Sequence, residues 1–328
     1  MAILLGDNLH TSPLGFGAMG LSATYGEVSE DEALATLRHA VDAGVTLIDT
    51  ANVYGGGRNE ELVARLLADR RDDVVLATKF GIDGNPADGV RTARGDRAYV
   101  HRCVEESLRR LGTDAIDLYY MHRRDESVPI EETVGAMAEL VAAGKVRHLG
   151  LSEVTAAELR AAVAVHPIAA VQSEWSVWSR DVERNVVPAA AELGVGFVPY
   201  SPLGRGFLTG TVSANTLGAN DFRRKIPRFA DTALTANQIA TETVAAVADS
   251  VGATSAQVAL AWLKVKGDQF GLPVVPIPGT RKPSRIDENV GALSVQLDET
   301  HIDDLDAVAA GVTGSRSPNA RWTSADRE

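Results

Sequence analysis

Short apolar runs rich in β-forming residues alternate eight times with longer segments of helical spacing, and few folds accept that pattern. The runs are "GFGAM" (15–19), "VTLIDT" (45–50), "DVVLATK" (73–79), "IDLYYMH" (116–122), "VRHLGLS" (146–152), "AAVQSE" (169–174), "VGFVPYS" (195–201) and "PVVPIP" (273–278). Helical spacing covers 30–43, 59–68, 97–111, 130–143, 156–165, 182–193, 236–251 and 255–266. The first of these has start and stop signals: Ser29 as N-cap, Glu32 three residues on, and Gly44 after the last turn. Strands alternating with helices imply a parallel sheet covered on both faces. Eight is the number that closes a (β/α)8 TIM barrel, and such a barrel reaches this size as one domain, here 1–328. The opening "ILLGDNLHTSPLG" reads as a small β-hairpin plugging the barrel floor. Two stretches exceed the usual βα loop: residues 202–235 after strand seven, and a polar C-terminal tail over about 312–328. Loops of that length commonly form lids or substrate walls.

One glycine pattern points elsewhere and fails on context. "GFGAMG" (15–20) matches G-x-G-x-x-G, which needs a strand before it and a helix opening at the third glycine. Pro13 interrupts the run before it, "LSATYGEVS" separates Gly20 from the next helix, and Asp49 lies too far on.

In a barrel of this type, function gathers at the C-terminal ends of the strands. Asp49 closes the second strand, with Tyr54 on the loop after it, beside a glycine run; Lys79 closes the third and His122 the fourth. Neighbouring strands lie ~4.8 Å apart, so long side chains from three successive ends can meet. A free tyrosine titrates near ~10. An ammonium at hydrogen-bond distance favours phenolate, so Lys79 is expected to lower that value while Asp49 holds Lys79 charged. A neutral His122 would orient a substrate oxygen or share the proton. Such a set suits protonation of an oxygen on which negative charge develops, as in carbonyl reduction with hydride from another source. Alone, each residue has a plainer reading: a cap or turn aspartate, a loop-anchoring tyrosine, a snorkelling lysine, a satisfied core histidine. Four on three consecutive strand ends are harder to assign to coincidence.

A second constellation lies in "PGTRKPSRIDENV". Pro283 suits the first turn of a helix, which places Arg281, Lys282 and Arg285 at its N-terminus. Exposed cations there oppose the macrodipole at roughly 0.3–1 kcal/mol each. In a chain of net charge −12, such a cluster suggests an anionic ligand, with a solvated basic patch as the alternative.

The order D-(x4)-Y, "TK", "MH", followed by "GLSE", "VQSEWS", "VPYSPLGRGFLTG" and "PIPGTRKPSRIDENV", resembles the aldo-keto reductase superfamily over nearly the whole chain. "DFRRKIPRF" further resembles the bacterial and plant branch with pyridoxal-reductase-like and perakine-reductase-like proteins. The resemblance implies a catalytic tetrad of Asp49, Tyr54, Lys79 and His122, with Tyr54 as general acid. It implies an NADP(H) cofactor: Ser152 and Gln172 on the nicotinamide carboxamide, and Tyr200 stacked on the ring. Ser201, Leu203 and Gly204 would lie at the pyrophosphate. Gly279, Thr280, Arg281 and Arg285 would lie at the adenosine 2′-phosphate, and Glu288 and Asn289 at the adenine edge. Without the family, "SPLGRG" reads as a turn, and an aromatic at position 200 reads equally as core packing or as a ring-facing residue. Glu153 departs from the asparagine many members carry there, and Trp175 from a frequent tyrosine.

The expected activity is therefore NADPH-dependent reduction of aldehydes or ketones to alcohols, with a small-molecule carbonyl as partner. A different class remains open: a cofactor-sensing module with little turnover, like potassium-channel β-subunits of this fold. A metal-dependent hydrolase using Asp49 and His122 lacks a second nearby histidine, so no metal is expected. Substrate walls are expected near Tyr25, over 204–231 and at Trp322. The net charge of −12 argues against a general nucleic-acid or anionic-membrane surface. The single Cys103 allows no internal disulfide, the N-terminus lacks a basic start, and no apolar run approaches ~18 residues, so a cytoplasmic location is expected. No heptad or other assembly signal stands out.

Overall fold

Period-two alternation along the strands sets the architecture. A computed structural model describes residues 2–22, 24, 26, 28–84, 91–213, 215–218 and 221–328, which leaves Tyr25 outside the described residues. In chain order the strands are β1 (Ile3–Leu4), β2 (His10–Thr11), β3 (Phe16–Gly17), β4 (Leu47–Asp49), β5 (Val75–Phe80), β6 (Ile82–Asp83), β7 (Thr92–Ala93), β8 (Ile116–Met121), β9 (Val146–Ser152), β10 (Ala170–Gln172) and β11 (Gly196–Phe197). Seven of them form one parallel sheet in the order β3-β4-β5-β8-β9-β10-β11. An antiparallel ribbon of β6 and β7, which the sequence pattern does not announce, follows β5.

The eighth segment closes the sheet. Val275 N–H donates to Phe197 O (2.9 Å) and Ile277 N–H to Pro199 O (3.1 Å). On the other side Gly15 N–H donates to Pro276 O (2.9 Å) and Gly17 N–H to Pro278 O (3.4 Å). The expected strand at 273–278 is thus an extended connection with one parallel bridge, Phe197 to Val274, rather than a regular strand. Pro273, Pro276 and Pro278 have no N–H to give a ladder, so they only accept. The glycine pattern near the N-terminus finds its use at this seam. A Cβ on Gly17 would lie 2.8 Å from Ile277 O, and one on Gly279 would collide with Gly17 O. Those glycines let the first and last segments touch.

Inward-facing Leu47, Ala77, Leu118, Tyr120, Ala170, Val198, Val275 and Ile277 form one buried cluster inside the barrel. Outward-facing Ile48, Leu76, Tyr119, Leu149 and Val171 pack with the apolar faces of the helices, including Leu37, Leu66, Val104 and Met137. Each fully buried leucine contributes on the order of 2 kcal/mol. The N-terminal hairpin, paired Ile3 to Thr11 and Leu4 to His10, adds Leu5 and Leu9 to the interior cluster. Its Gly6 N–H donates to Ala169 O (2.9 Å), and Asp7 Oδ2 lies 2.9 Å from His148 Nδ1.

The helix Glu30–Asp42 opens with the Ser29/Glu32 capping box read from sequence. The helical pattern at 182–193 instead splits into a 3-10 turn, Asp181–Glu183, and the helix Val186–Glu192. The C-terminal tail is polar but well anchored: Arg316, Thr323 and Ser324 are buried. Among the described residues, no single helix is long and apolar enough to cross a membrane.

Candidate active site

Two residues beyond the interior packing layer, the same inward columns become polar. Asp49 follows Leu47, Lys79 follows Ala77, His122 follows Tyr120, Ser152 follows Gly150, Gln172 follows Ala170, and Tyr200 follows Val198. The alternation therefore delivers six polar side chains to one end of the barrel. Tyr54 arrives from the loop after β4. Gly55, Gly56 and Gly57 have φ of 59°, 67° and 98°, so the chain reverses there in left-handed steps that larger residues resist. The reversal leads directly into the helix Arg58–Arg70.

Lys79 is fully buried and donates to Asp49 Oδ1, to Thr50 O (2.9 Å) and to the Tyr54 hydroxyl (3.4 Å). The second Asp49 oxygen accepts from Gln172 Nε2 at 2.8 Å. The His122 ring meets Tyr54 edge-on with centroids 5.9 Å apart, and its buried Nδ1 has no hydrogen-bond partner among the described residues. The structure thus brings the four predicted catalytic residues together.

The electrostatics correct one expectation. Burial opposes the Lys79 ammonium, but the charge and hydrogen bond of Asp49, joined by Tyr54, leave its pKa raised. Burial also pushes the Tyr54 phenol up, and the opposing pull of Lys79 does not offset it. The phenol pKa is raised, not lowered, because phenolate would lose more solvation here than one ammonium, itself paired to Asp49, returns. Tyr54 holds its proton at neutral pH. Burial first, then Arg123 and Lys79, drive His122 well below its usual range, so the imidazole is neutral as expected.

Ser152 is buried and its Oγ accepts from Arg123 at 3.2 Å. Glu153, the residue after it, is fully buried at φ 52°, an uncommon angle for a residue with a side chain. Its carboxylate accepts from both terminal nitrogens of Arg316 (2.8 and 2.9 Å), from the Tyr200 hydroxyl (2.8 Å) and from Ser324 N–H (2.9 Å). Burial alone would raise this carboxyl, but Arg316 overrides it and, with Arg123 and the Ser324 amide, holds the group down at about 2. The sign follows: stability from this depressed pKa is complete above the ordinary value of 4.5 and disappears as pH falls through about 2. The linked contribution is about 3 kcal/mol. Urea melts of wild type and Glu153→Gln from neutral to acid are expected to show a steeper acid loss in wild type; parallel curves would remove Glu153 from that role.

Elsewhere the predicted cofactor residues fall in two groups. Ser201, Gly204 and Arg205 have φ of 50°, 57° and 55°, a tight left-handed course leading into the 3-10 turn Gly204–Thr209 that begins just after Leu203. Thr280 and Asn289 are buried, while Gly279, Arg281, Lys282 and Arg285 are exposed around the start of the helix Pro283–Gly291 and Glu288 is partly buried within it. That helix has Pro at its first turn and no side-chain cap from Lys282. Among the described residues, Lys282 and Arg285 pair with no carboxylate. Arg123 and the Glu153–Arg316 pair are site features that spacing did not reveal.

The aldo/keto reductase family model matches residues 13–310. The chain belongs to that family. A probable aldo-keto reductase 1 from Glycine max is 44% identical over 317 residues, covering 95% of this chain and 90% of the relative. The glycerol dehydrogenase from Gluconobacter oxydans superposes with a TM-score of 0.83 at 29% identity, over 97% of this chain and 96% of that one. An aldo/keto reductase from Klebsiella pneumoniae, solved with NADP and acetate, gives 0.71 at 26% identity over 96% and 98%. These relatives make the chain an oxidoreductase of the aldo-keto reductase type and agree with a (β/α)8 barrel.

Proposed function

We propose that the protein reduces aldehyde or ketone carbonyls to alcohols with NADPH, and that Tyr54 is the general acid. The observation that carries this reading is the Tyr54 phenol held 3.4 Å from a fully buried Lys79, itself tied to Asp49. As negative charge grows on the carbonyl oxygen, Tyr54 releases its proton and the adjacent ammonium stabilises the phenolate that remains. The neutral His122 imidazole, close against the Tyr54 ring, orients that oxygen. When bound, the dinucleotide supplies the hydride.

The residues present fit such a group. Ser152 and Gln172 lie at adjacent strand ends, paired in register across β9 and β10, and would hold the carboxamide. Gln172 already uses its Nε2 on Asp49, which leaves its carbonyl oxygen for that contact. Tyr200 would stack on the ring, and Ser201, Leu203 and Gly204 would follow the pyrophosphate. Gly279, Thr280, Arg281 and Arg285 would receive the 2′-phosphate at an uncapped helix N-terminus, with Glu288 and Asn289 at adenine. The N-terminal hairpin serves as the floor plug, the long loop after β11 and Trp322 as substrate walls, and the chain works in the cytoplasm.

Following NADPH oxidation with a panel of aldehydes and ketones tests the activity: multiple turnovers support it, and absence of turnover with any carbonyl overturns it. Arg285→Met is expected to weaken NADPH about tenfold while changing NADH less than about twofold. Equal weakening of both in a binding titration would remove the 2′-phosphate assignment.

A further inference from the structure

Position 153 departs from the family's frequent asparagine, and the structure pairs the departure with a residue far along the chain. We propose that Arg316 is a positioning residue for the nicotinamide pocket: it grips buried Glu153 and the Tyr200 hydroxyl together, so the C-terminal tail fixes the ring-facing tyrosine. The proposal rests on the functional reading above, in which Tyr200 faces the cofactor ring.

Three observations support it. First, Arg316 reaches both members: Glu153 through two bonds of 2.8 and 2.9 Å, and the Tyr200 hydroxyl at 3.3 Å. The tyrosine hydroxyl in turn donates to Glu153 Oε1 at 2.8 Å, so the three groups close a triangle. An arginine in this geometry is far less adaptable than a lysine, because its donors lie in a fixed fork.

Second, the arrangement is over-determined where a looser one would relax. Glu153 keeps a left-handed backbone angle of 52°, and such angles persist when surrounding contacts enforce them. Its carboxylate also accepts from Ser324 N–H and from Glu174 N–H (3.2 Å), while Arg327 donates to its carbonyl oxygen. Arg316 uses its remaining reach on Asp181 Oδ2 at 2.9 Å.

Third, the tail beside Arg316 also holds the long loop after β11. Ser315 O accepts from Arg228 N–H at 3.2 Å, and Asn237 Nδ2 donates to Thr313 O at 3.0 Å. A tail needed only to cover the barrel would be served by apolar packing. Instead, a buried cation ends on the phenol at the mouth.

The test is a double-mutant cycle on the full chain, measuring NADPH Kd, KM and kcat. Arg316→Met is expected to raise NADPH Kd and KM about tenfold and to lower kcat less. Glu153→Gln is expected to raise Kd as well, and the double variant to be little worse than the poorer single, because both act through one contact. Asn185→Ala, which removes a tail contact at Glu328 without touching Glu153, Arg316 or Tyr200, is expected to leave NADPH Kd near wild type. Additive losses, or an Arg316→Met protein that binds NADPH like wild type, overturn the proposal. Should Arg316→Met fail to fold, Tyr200→Phe keeps the ring and removes its tie to the clamp. Its Kd is expected to rise about threefold, and an unchanged Kd overturns the proposal. If the wild type itself does not bind NADPH, the functional reading fails, an outcome distinct from intact wild-type binding with no effect of these substitutions.

Discussion

Tyr54→Phe is expected to lower carbonyl reduction about 10²–10⁴-fold with NADPH affinity unchanged. The substitution removes one oxygen and leaves the ring that packs against His122. Burial keeps the Tyr54 pKa above its ordinary value of 10.0, so the phenol is the proton-loaded form throughout the neutral range. Reduction in the wild type should therefore be insensitive to Tyr54 ionisation between about pH 6 and 9 and decline only at higher pH. In the reverse direction phenolate must take the alcohol proton, so oxidation should rise with pH over the same span. Steady-state rates in both directions across pH check this. Full reductive activity in Tyr54→Phe, or reduction that falls on raising pH through neutrality in step with Tyr54 titration, would remove Tyr54 as the acid.

Lys79→Met carries the largest expected stability effect. The lysine is fully buried, and Asp49 is buried beside it with Gln172 as its other partner. Removing the cation leaves a carboxylate enclosed without countercharge, a change of about 3–5 kcal/mol. Methionine fills most of the volume, so little of the loss comes from a cavity. The variant should also lose nearly all activity, because nothing then stabilises the Tyr54 phenolate. Adding Asp49→Asn removes the unpaired charge and should restore most of the stability without restoring turnover. Urea denaturation and single-turnover rates separate the two effects. A Lys79→Met protein as stable as wild type would mean that the pair is solvated, and recovery of activity in the double variant would mean that the ammonium has no chemical part.

The legible features of this chain were those carried by local period. Leu47 and Asp49, or Ala77 and Lys79, stand two residues apart, so a strand assignment at once places the polar member above the packed one. Asp49, Lys79 and His122 stand at the ends of β4, β5 and β8, which follow one another in the main sheet, and their convergence followed from strand spacing. The Ser29/Glu32 cap lies within one helical turn and was equally readable.

Long-range features were not. Glu153 and Arg316 are 163 residues apart, and no periodicity links the end of a strand to a polar tail. The direction of the Tyr54 pKa shift escapes the sequence for a related reason. Sequence supplies the neighbour, Lys79, but not the depth of burial, and here burial has the larger effect. Residues 273–278 had the composition of a strand, but the three prolines withhold the amides that a regular ladder requires.

Those prolines have a consequence for the protein before it is finished. Until the last parallel segment docks, the nascent sheet exposes a raw margin, the kind of surface that recruits strands from other molecules. A proline-studded segment cannot serve as an efficient template for such pairing, since Pro276 and Pro278 leave no hydrogen-bond donor at two positions of the face turned toward β3. Its carbonyls find donors in Gly15 and Gly17, which the same chain made first and which a stranger would have to place just as closely. The joint that completes the cylinder therefore favours self-recognition over aggregation.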